Sequence, residues 1–154
     1  MAWGTHGFKI QIASLNDLIR ASKSLDFSLE WEFEQHYDTF KILHPDEAGP
    51  LGFISMFQDA SRSFITVNQI EVSQSCRGPN RKYSTLAGCL LAFAVRRAFD
   101  GGMKGRLVLE PKNERLMTHY VEAYGFEHSG YSVHIEEEAA RKLFLTYWDG
   151  NEDE

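Results

Sequence analysis

Cysteine is almost missing from this sequence of 154 residues: Cys76 and Cys89 are the only two, and they stand in no metal-ligand spacing. That excludes a disulfide-stapled scaffold and a structural zinc site, and leaves two reduced thiols, with Cys89 in a helical core. No pair of histidines stands at metal spacing either, so no metal is expected. The longest apolar run, Leu86 to Val95, falls well short of the roughly 18 residues that cross a bilayer. The start, MAWGTHGFKIQIAS, has neither the basic lead nor the apolar stretch of a secretory signal, so a cytoplasmic protein without a membrane span is expected. A G-x-S-x-G elbow is absent, no G-x-G-x-x-G follows an expected strand, and a Walker A loop counted from Gly78 would need Gly and Lys where Tyr83 and Ser84 stand. Hydrolase, NAD and ATP sites therefore have no basis in the residues.

Basic residues are outnumbered too: 16 Lys and Arg face 22 Asp and Glu, for a net charge of −6. A balance of that sign disfavours broad nucleic-acid binding, which needs an extended basic surface. The distribution says more than the total. Cys76 to Leu116 carries nine Lys or Arg against three Asp or Glu, while the rest of the chain has seven against nineteen. One part of the molecule is thus built to meet negative charge.

What is present reads as one domain over residues 1–154, of a length that buries roughly 70% of the surface of the unfolded chain. Phe8, Ile10 and Ile12 alternate as in a half-buried strand, and SLNDLIRASKSL reads as a helix capped by Ser14 with Leu15, Leu18, Ile19 and Leu25 on its apolar face. In FSLEWEFEQ, Phe27, Leu29, Trp31 and Phe33 alternate, which favours extended structure. TFKILH, LGFISMFQ and SFITVNQIEVS are strands, the first stopped by HPDEAGP and the other two joined by the turn DASR. A basic loop, an apolar helix to about Phe99, the stop at Gly101 and Gly102, and the strand GRLVLE make a βαβ unit, whose strands are parallel. NERLMTHYVEAY is a helix halted at Gly125, and YSVHI is a short strand. Ala140, Leu143, Phe144, Tyr147 and Trp148 repeat at the spacing of a final amphipathic helix, before a solvated tail over 149–154.

The loop CRGPNRKYST sets Arg77, Arg81 and Lys82 at the start of the apolar helix, beyond the carboxyl end of a strand. Helix starts offer unpaired amides and a partial positive charge, and ligands of open α/β sheets gather at that end of the strands. A phosphate-bearing ligand is the natural guest.

The order of elements, from about Phe8 to His134, resembles the GNAT superfamily of acetyl-CoA-dependent N-acetyltransferases. That family carries Q/R-x-x-G-x-G/A in this loop, and KYSTLA stands in its place, with Lys82 for Gln/Arg, Thr85 for the first Gly and Ala87 for the last position. GPNRKYSTLAG is similar to G-K-N-K-K-Y-x-G-V-A-G of an uncharacterised bacterial subtype. That subtype also has IE as at Ile70 and Glu71, HY as at His119 and Tyr120, and a terminal helix like EEEAARKLFLTYW.

The resemblance implies an α/β fold of the α+β kind, with a mixed, mostly antiparallel sheet flanked by helices and a C-terminal amphipathic helix. It implies acetyl-CoA as acyl donor and an amine, on a small molecule or a protein, as acceptor. It further implies that Arg77, Gly78, Asn80, Arg81, Lys82, Thr85 and Ala87 hold the diphosphate, that an amide near Val72 polarises the thioester, and that Asn113 belongs to the same site. Tyr120 would be the acid for the leaving thiolate, the alternative being an aromatic packed on the helix's inner face; Glu71 would be the base, with His119 ranked below it, the alternative being a structural carboxylate bonded to backbone amides or a basic neighbour. The spacing from Tyr120 to Gly125 is one residue longer than the family's Y-x-x-x-G-F.

Glu30, Glu32, Glu34 and Asp38, with Trp31, Phe33 and Tyr37, occupy the region that resembles the substrate side; such a wall suits a cationic amine but does not by itself choose a substrate. Two alternatives stay open: a silent GNAT-fold module that binds CoA or a protein partner, and a toxin that acetylates aminoacyl-tRNA, which the net charge weakens. A homodimer is compatible with the sequence.

Overall fold

Burial of Phe8 and Ile10, with Lys9 turned outward, is the alternation expected of a strand with one wet face, and it sets the first long strand of the sheet. In the computed structural model, which describes residues 3–5, 7–78 and 81–148, the eight strands pair in the order β1-β2-β3-β4-β5-β6-β8-β7. They are β1 (Trp3–Thr5), β2 (Phe8–Ile12), β3 (Asp38–Leu43), β4 (Gly52–Gln58), β5 (Ile65–Val72), β6 (Leu107–Leu109), β7 (Glu127–Ser129) and β8 (Ser132–Ile135). Every pair is antiparallel except β5 with β6, which the helix α2 (Leu86–Asp100) joins as a crossover. The mixed, mostly antiparallel sheet and its βαβ unit are therefore as the sequence predicts. β1 and β7 span three residues each, too few for an alternating pattern to register.

The sheet separates two apolar clusters. On one face, α2 buries Leu86 and the run from Cys89 to Val95 against Ile42, Ile54, Met56 and Val67. The C-terminal helix α4 (Glu137–Tyr147) packs along α2 through Ala140 and Leu143, as its periodicity requires. On the other face, α1 (Leu15–Lys23) joins Leu18 and Ala21 to Phe27, Trp31 and Phe53. Ser14 caps α1 in a full capping box: its hydroxyl accepts from the Asp17 amide at 3.1 Å, and the Asp17 carboxylate accepts from the Ser14 amide at 2.8 Å. The helix stops at Lys23, so Leu25 is not on its apolar face and is 95% exposed.

The segment after α1 departs from the extended form expected of it. Trp31–His36 is a 3-10 helix, with Trp31 fully buried and Phe33 62% exposed. A strand would have put both rings on one side; a tighter spiral separates them and turns Glu34 inward, where it is also buried. The cause is polar rather than apolar, because Glu71 on β5 draws Ser28, Leu29 and Trp31 into hydrogen bonds.

Two local events shape the middle of the sheet. Parallel pairing of β5 with β6 runs only from Ile65↔Leu107 to Val67↔Leu109, although β5 continues beside β4 to Val72. β6 stops there because Pro111 has no amide to give and biases Glu110 before it. On the other side of β5 the register with β4 shifts between Ser55 and Met56, leaving Asn68 as the extra residue of a β-bulge. The sheet thus splits next to its bulge.

Candidate functional site

The split exposes one edge of β5. The Ser73 amide donates to Leu51 O at 2.8 Å, and Phe53 faces Glu71 across the ladder. Residues of one strand alternate their backbone groups between its two edges, so Ile70 and Val72 turn theirs away from β4, into the cleft that β6 leaves. The Val72 carbonyl is taken up by Arg77 Nε at 2.9 Å. The amides of Ile70 and Val72 have no such partner from β6.

The α2 helix opens at the mouth of the same cleft. Its N-cap, Thr85, makes no side-chain cap, so the first-turn amides of Leu86, Ala87 and Gly88 are left for an external acceptor. Thr85 has φ −111°, so the position that is glycine in the family motif holds a β-branched residue here without backbone strain. Gly88 is required for another reason. The Tyr147 ring of α4 packs against it, and a Cβ at 88 would lie 2.4 Å from two of the ring's carbons.

The three loop cations are not equivalent. Arg77 donates to Glu71 Oε2 at 2.6 Å, and Lys82 reaches Glu47 at 2.9 Å, which raises its affinity for its proton. Arg81 pairs with no carboxylate among the described residues; its guanidinium donates to the Gly78 carbonyl at 2.9 Å, and the residue is exposed. Arg81 is therefore the loop cation best placed to accept a phosphate. Gly78 takes φ +82°, a left-handed turn that suits glycine. Asn80 lies outside the described residues.

Glu71 is 7% exposed and its carboxylate is saturated. Ser28 donates to it from both amide and hydroxyl at 2.7 Å, the Leu29 amide at 3.1 Å, Trp31 Nε1 at 2.8 Å, and Arg77 completes the set. Burial alone would raise its pKa, but the hydrogen bonds from Ser28, Trp31 and Leu29 outweigh it and hold the group below the ordinary glutamate range. Such a group fastens the Ser28–Trp31 segment and the basic loop to β5. These bonds favour, of the two roles open to Glu71, the structural carboxylate held by backbone amides and a basic neighbour over the base.

Tyr120 sits on α3 (Glu114–Tyr124), a helix capped at Asn113, whose side-chain oxygen accepts from the Leu116 amide at 2.9 Å. Capping is thus the contact Asn113 makes. At the other end Gly125, at φ +81°, turns its amide back five residues to the Tyr120 carbonyl, and this wider closure absorbs the extra residue in the spacing. The Tyr120 side chain is buried against Phe126 and Tyr124, with ring centroids 5.6 and 5.8 Å away, and its hydroxyl makes no hydrogen bond among the described residues. Burial pushes its pKa up to about 12. Tyr124 continues the aromatic row to Tyr147 at 5.7 Å, and Tyr147 to Gly88, so α3 is tied to the start of α2. His119 is exposed, its ring 6.3 Å from that of Tyr120.

The acidic segment supplied a residue that sequence reasoning did not single out. Glu34, 4% exposed, accepts from Ser55 Oγ and Asn68 Nδ2, both at 2.6 Å. Its alternation with Glu30 and Glu32 conceals it, because only the 3-10 path turns it inward.

A hollow of about 410 Å3 between Leu15, Tyr37, Phe40 and Arg97 lies at the opposite end of the sheet. The cleft beside β5 is the better site for an anion, because the uncapped start of α2 and Arg81 meet there. Among the described residues no group of three or more His, Cys, Asp or Glu could hold a metal ion, and no helix is long and apolar enough to cross a membrane.

No family model and no curated relative matches the chain. Solved structures do. The AtaT toxin complexed with acetyl-methionyl-tRNA superposes with a TM-score of 0.62 at 16% identity, over 89% of this chain and 99% of that one. A variant of AtaT bound to the C-terminus of the antitoxin AtaR and to acetyl-CoA gives 0.58 at 14% identity, over 90% and 98%. A GCN5-related N-acetyltransferase from Brucella melitensis gives 0.63 at 13% identity, over 96% and 83%. At these identities the likeness concerns architecture: the chain has the fold of the GNAT acetyltransferases.

Proposed function

We propose that the protein transfers an acetyl group from acetyl-CoA to an amine by direct attack on the thioester. The observation that carries this reading is the cleft itself: β5 turns unpaired amides toward it, and the uncapped start of α2 stands at its mouth beside Arg81. The diphosphate would meet the amides of Leu86, Ala87 and Gly88 with Arg81. The pantetheine arm would pair along β5, where the Ile70 and Val72 amides polarise the carbonyl as oxyanion donors do. Because Arg77 already holds the Val72 carbonyl, the inner amide at Ile70 suits the thioester best.

Tyr120 acts on the leaving sulfur. With its pKa at about 12, the phenol is roughly three orders of magnitude weaker an acid than a thiol. It therefore donates a hydrogen bond to the departing sulfur and passes its proton on only as it recovers one from the amine nitrogen. Glu71 takes no part beyond holding the walls of the cleft.

Acetyl-CoA at a hundred times its Kd should stabilise the fold by about 2.7 kcal/mol, raising Tm by about 5–10 °C. Thiol release in the presence of primary amines should accompany it. A silent CoA-binding module has the saturation of Glu71 in its favour; a thermal shift with no thiol release from any amine, protein lysines included, would establish that module instead. Absence of any shift defeats both.

A further inference from the structure

We infer that the hollow at the far end of the sheet binds a free α-amino acid with an apolar side chain, its carboxylate on Arg97 and its ammonium on Asp38. The inference is independent of the acyltransferase reading. β3 outruns β2: their pairing ends at Ile12↔Phe40, while β3 stays paired to β4 as far as Asp38↔Met56. The chain leaves β2 toward α1, and enters β3 from the 3-10 helix, around the gap so formed. Ile12, Leu15, Leu18 and Phe40 give it apolar walls. Its volume of about 410 Å3 is that of a small-molecule site. Ile12 and Leu15 are exposed, so a guest that covers them gains by taking apolar surface out of water.

The charges that line the hollow suit the two ends of one small molecule. Arg97, in the last turn of α2, lays its guanidinium over the Phe40 ring, 4.8 Å from the centroid, with Phe93 at 6.0 Å. Its buried Nε has no hydrogen-bond partner, so stacking holds the fork in place. Its ion-pair partner among the described residues is Asp38, with Nη2 and Oδ2 3.7 Å apart, beyond hydrogen-bond reach. A carboxylate alone would be repelled by Asp38, and an amine alone by Arg97. A zwitterion satisfies both. The short span between the two groups limits the guest further, because its opposite charges must leave from neighbouring atoms. An α-amino acid carries both on one carbon, whereas the terminal charges of a peptide are separated by its length. The carboxylate would take the free edge of the guanidinium as a bidentate pair, the ammonium would donate to Asp38, and the side chain would lie against Ile12 and Leu15.

The experiment is a titration of the whole protein, without acetyl-CoA, with L-leucine and with L-phenylalanine, followed by 1H–15N spectra. Each is set beside its deaminated and its decarboxylated analogue, which for leucine are isocaproate and isoamylamine. At least one of the amino acids should shift the backbone amides of Ala13 and Thr39 saturably, and both of its analogues should bind about tenfold more weakly or worse. Arg97→Met keeps the stem over Phe40 and removes the fork, while Asp38→Asn keeps the shape of an exposed side chain and removes its charge. Either variant should weaken the amino acid about tenfold or more; if Arg97→Met does not fold, Asp38→Asn decides alone. No saturable shift at the hollow from either amino acid overturns the inference. So does an amino-acid affinity unchanged in Asp38→Asn, or a deaminated analogue that binds as tightly as its parent, which would make the hollow an anion site. Shifts confined to the amides of Ile70 and Val72 would place the guest in the cleft beside β5 and overturn it as well.

Discussion

Glu71 and Tyr120 are both buried polar side chains, and their partners give them opposite characters. Glu71 accepts five hydrogen bonds, one from Arg77. Its folded-state pKa lies below the value of 4.5 for the free side chain, so it adds stability above that pH, and the gain is lost as pH falls through the lowered value. Glu71→Gln should cost about 2–4 kcal/mol at neutral pH, since bonds to a charge are the strong ones and Arg77 is left unpaired. The same variant should flatten the acid limb of a Tm-against-pH profile; a limb as steep as in the unaltered protein would refute the assignment. Tyr120 behaves in reverse. A phenol raised from 10 to about 12 binds its proton more tightly when folded, so its contribution is present below pH 10 and lost as pH rises through 12, about 2–3 kcal/mol in all. Tyr120→Phe should abolish that alkaline loss. It should also cut kcat about a hundredfold or more with acetyl-CoA affinity unchanged, which steady-state kinetics and calorimetry read separately.

Elements in this chain are placed by single contacts that propensity does not encode. Gly88 lets Tyr147 lie on the first turn of α2, and Gly88→Ala should cost about 1–3 kcal/mol by overpacking. Tyr147→Ala in the same molecule should recover part of that cost, so a double-mutant cycle by chemical denaturation should return a coupling well above additivity. Asn113→Ala should cost about 1 kcal/mol as a lost cap and leave acetyl-CoA affinity unchanged, in keeping with its bond to Leu116. The sequence made α1, α2, α3, α4 and the long strands legible because their apolar periods run over several turns or residues, with Ser14, Gly101 and Gly125 marking the ends. The 3-10 helix was not legible: the alternation of Phe27, Leu29, Trp31 and Phe33 imitates a strand, and the group that overrides it, Glu71, lies some forty residues away. The same override hid Glu34, whose burial exists only once the spiral forms. Of the loop, the position and charge were readable, but not the division of labour, since Glu71 and Glu47 reach it from other strands and turns.

Charge over the whole molecule is arranged so that the anion site is partly covered from within. The segment Cys76–Leu116 carries an excess of six basic residues in a chain of net −6. Acidic residues from elsewhere meet two of its loop cations, Glu71 holding Arg77 and Glu47 holding Lys82. The first pair is half inside the protein and fixed by a saturated carboxylate; the second is exposed on the Lys82 side, at 61%. A diphosphate arriving at the α2 start would compete with Glu47 for Lys82 but could not detach Arg77 from Glu71. Glu47→Gln should therefore raise acetyl-CoA affinity by about two- to fivefold at low ionic strength, the scale of an exposed pair. The gain should vanish near 1 M salt, where the Debye length is about 3 Å. Arg81→Ala should lower affinity at both salt concentrations, because its guanidinium is held by no carboxylate among the described residues and would contact the phosphate directly. Calorimetric titrations at low and high salt separate the two: an Arg81 effect that screens away, or a Glu47 effect that persists, would mean that Lys82 rather than Arg81 is the direct phosphate ligand.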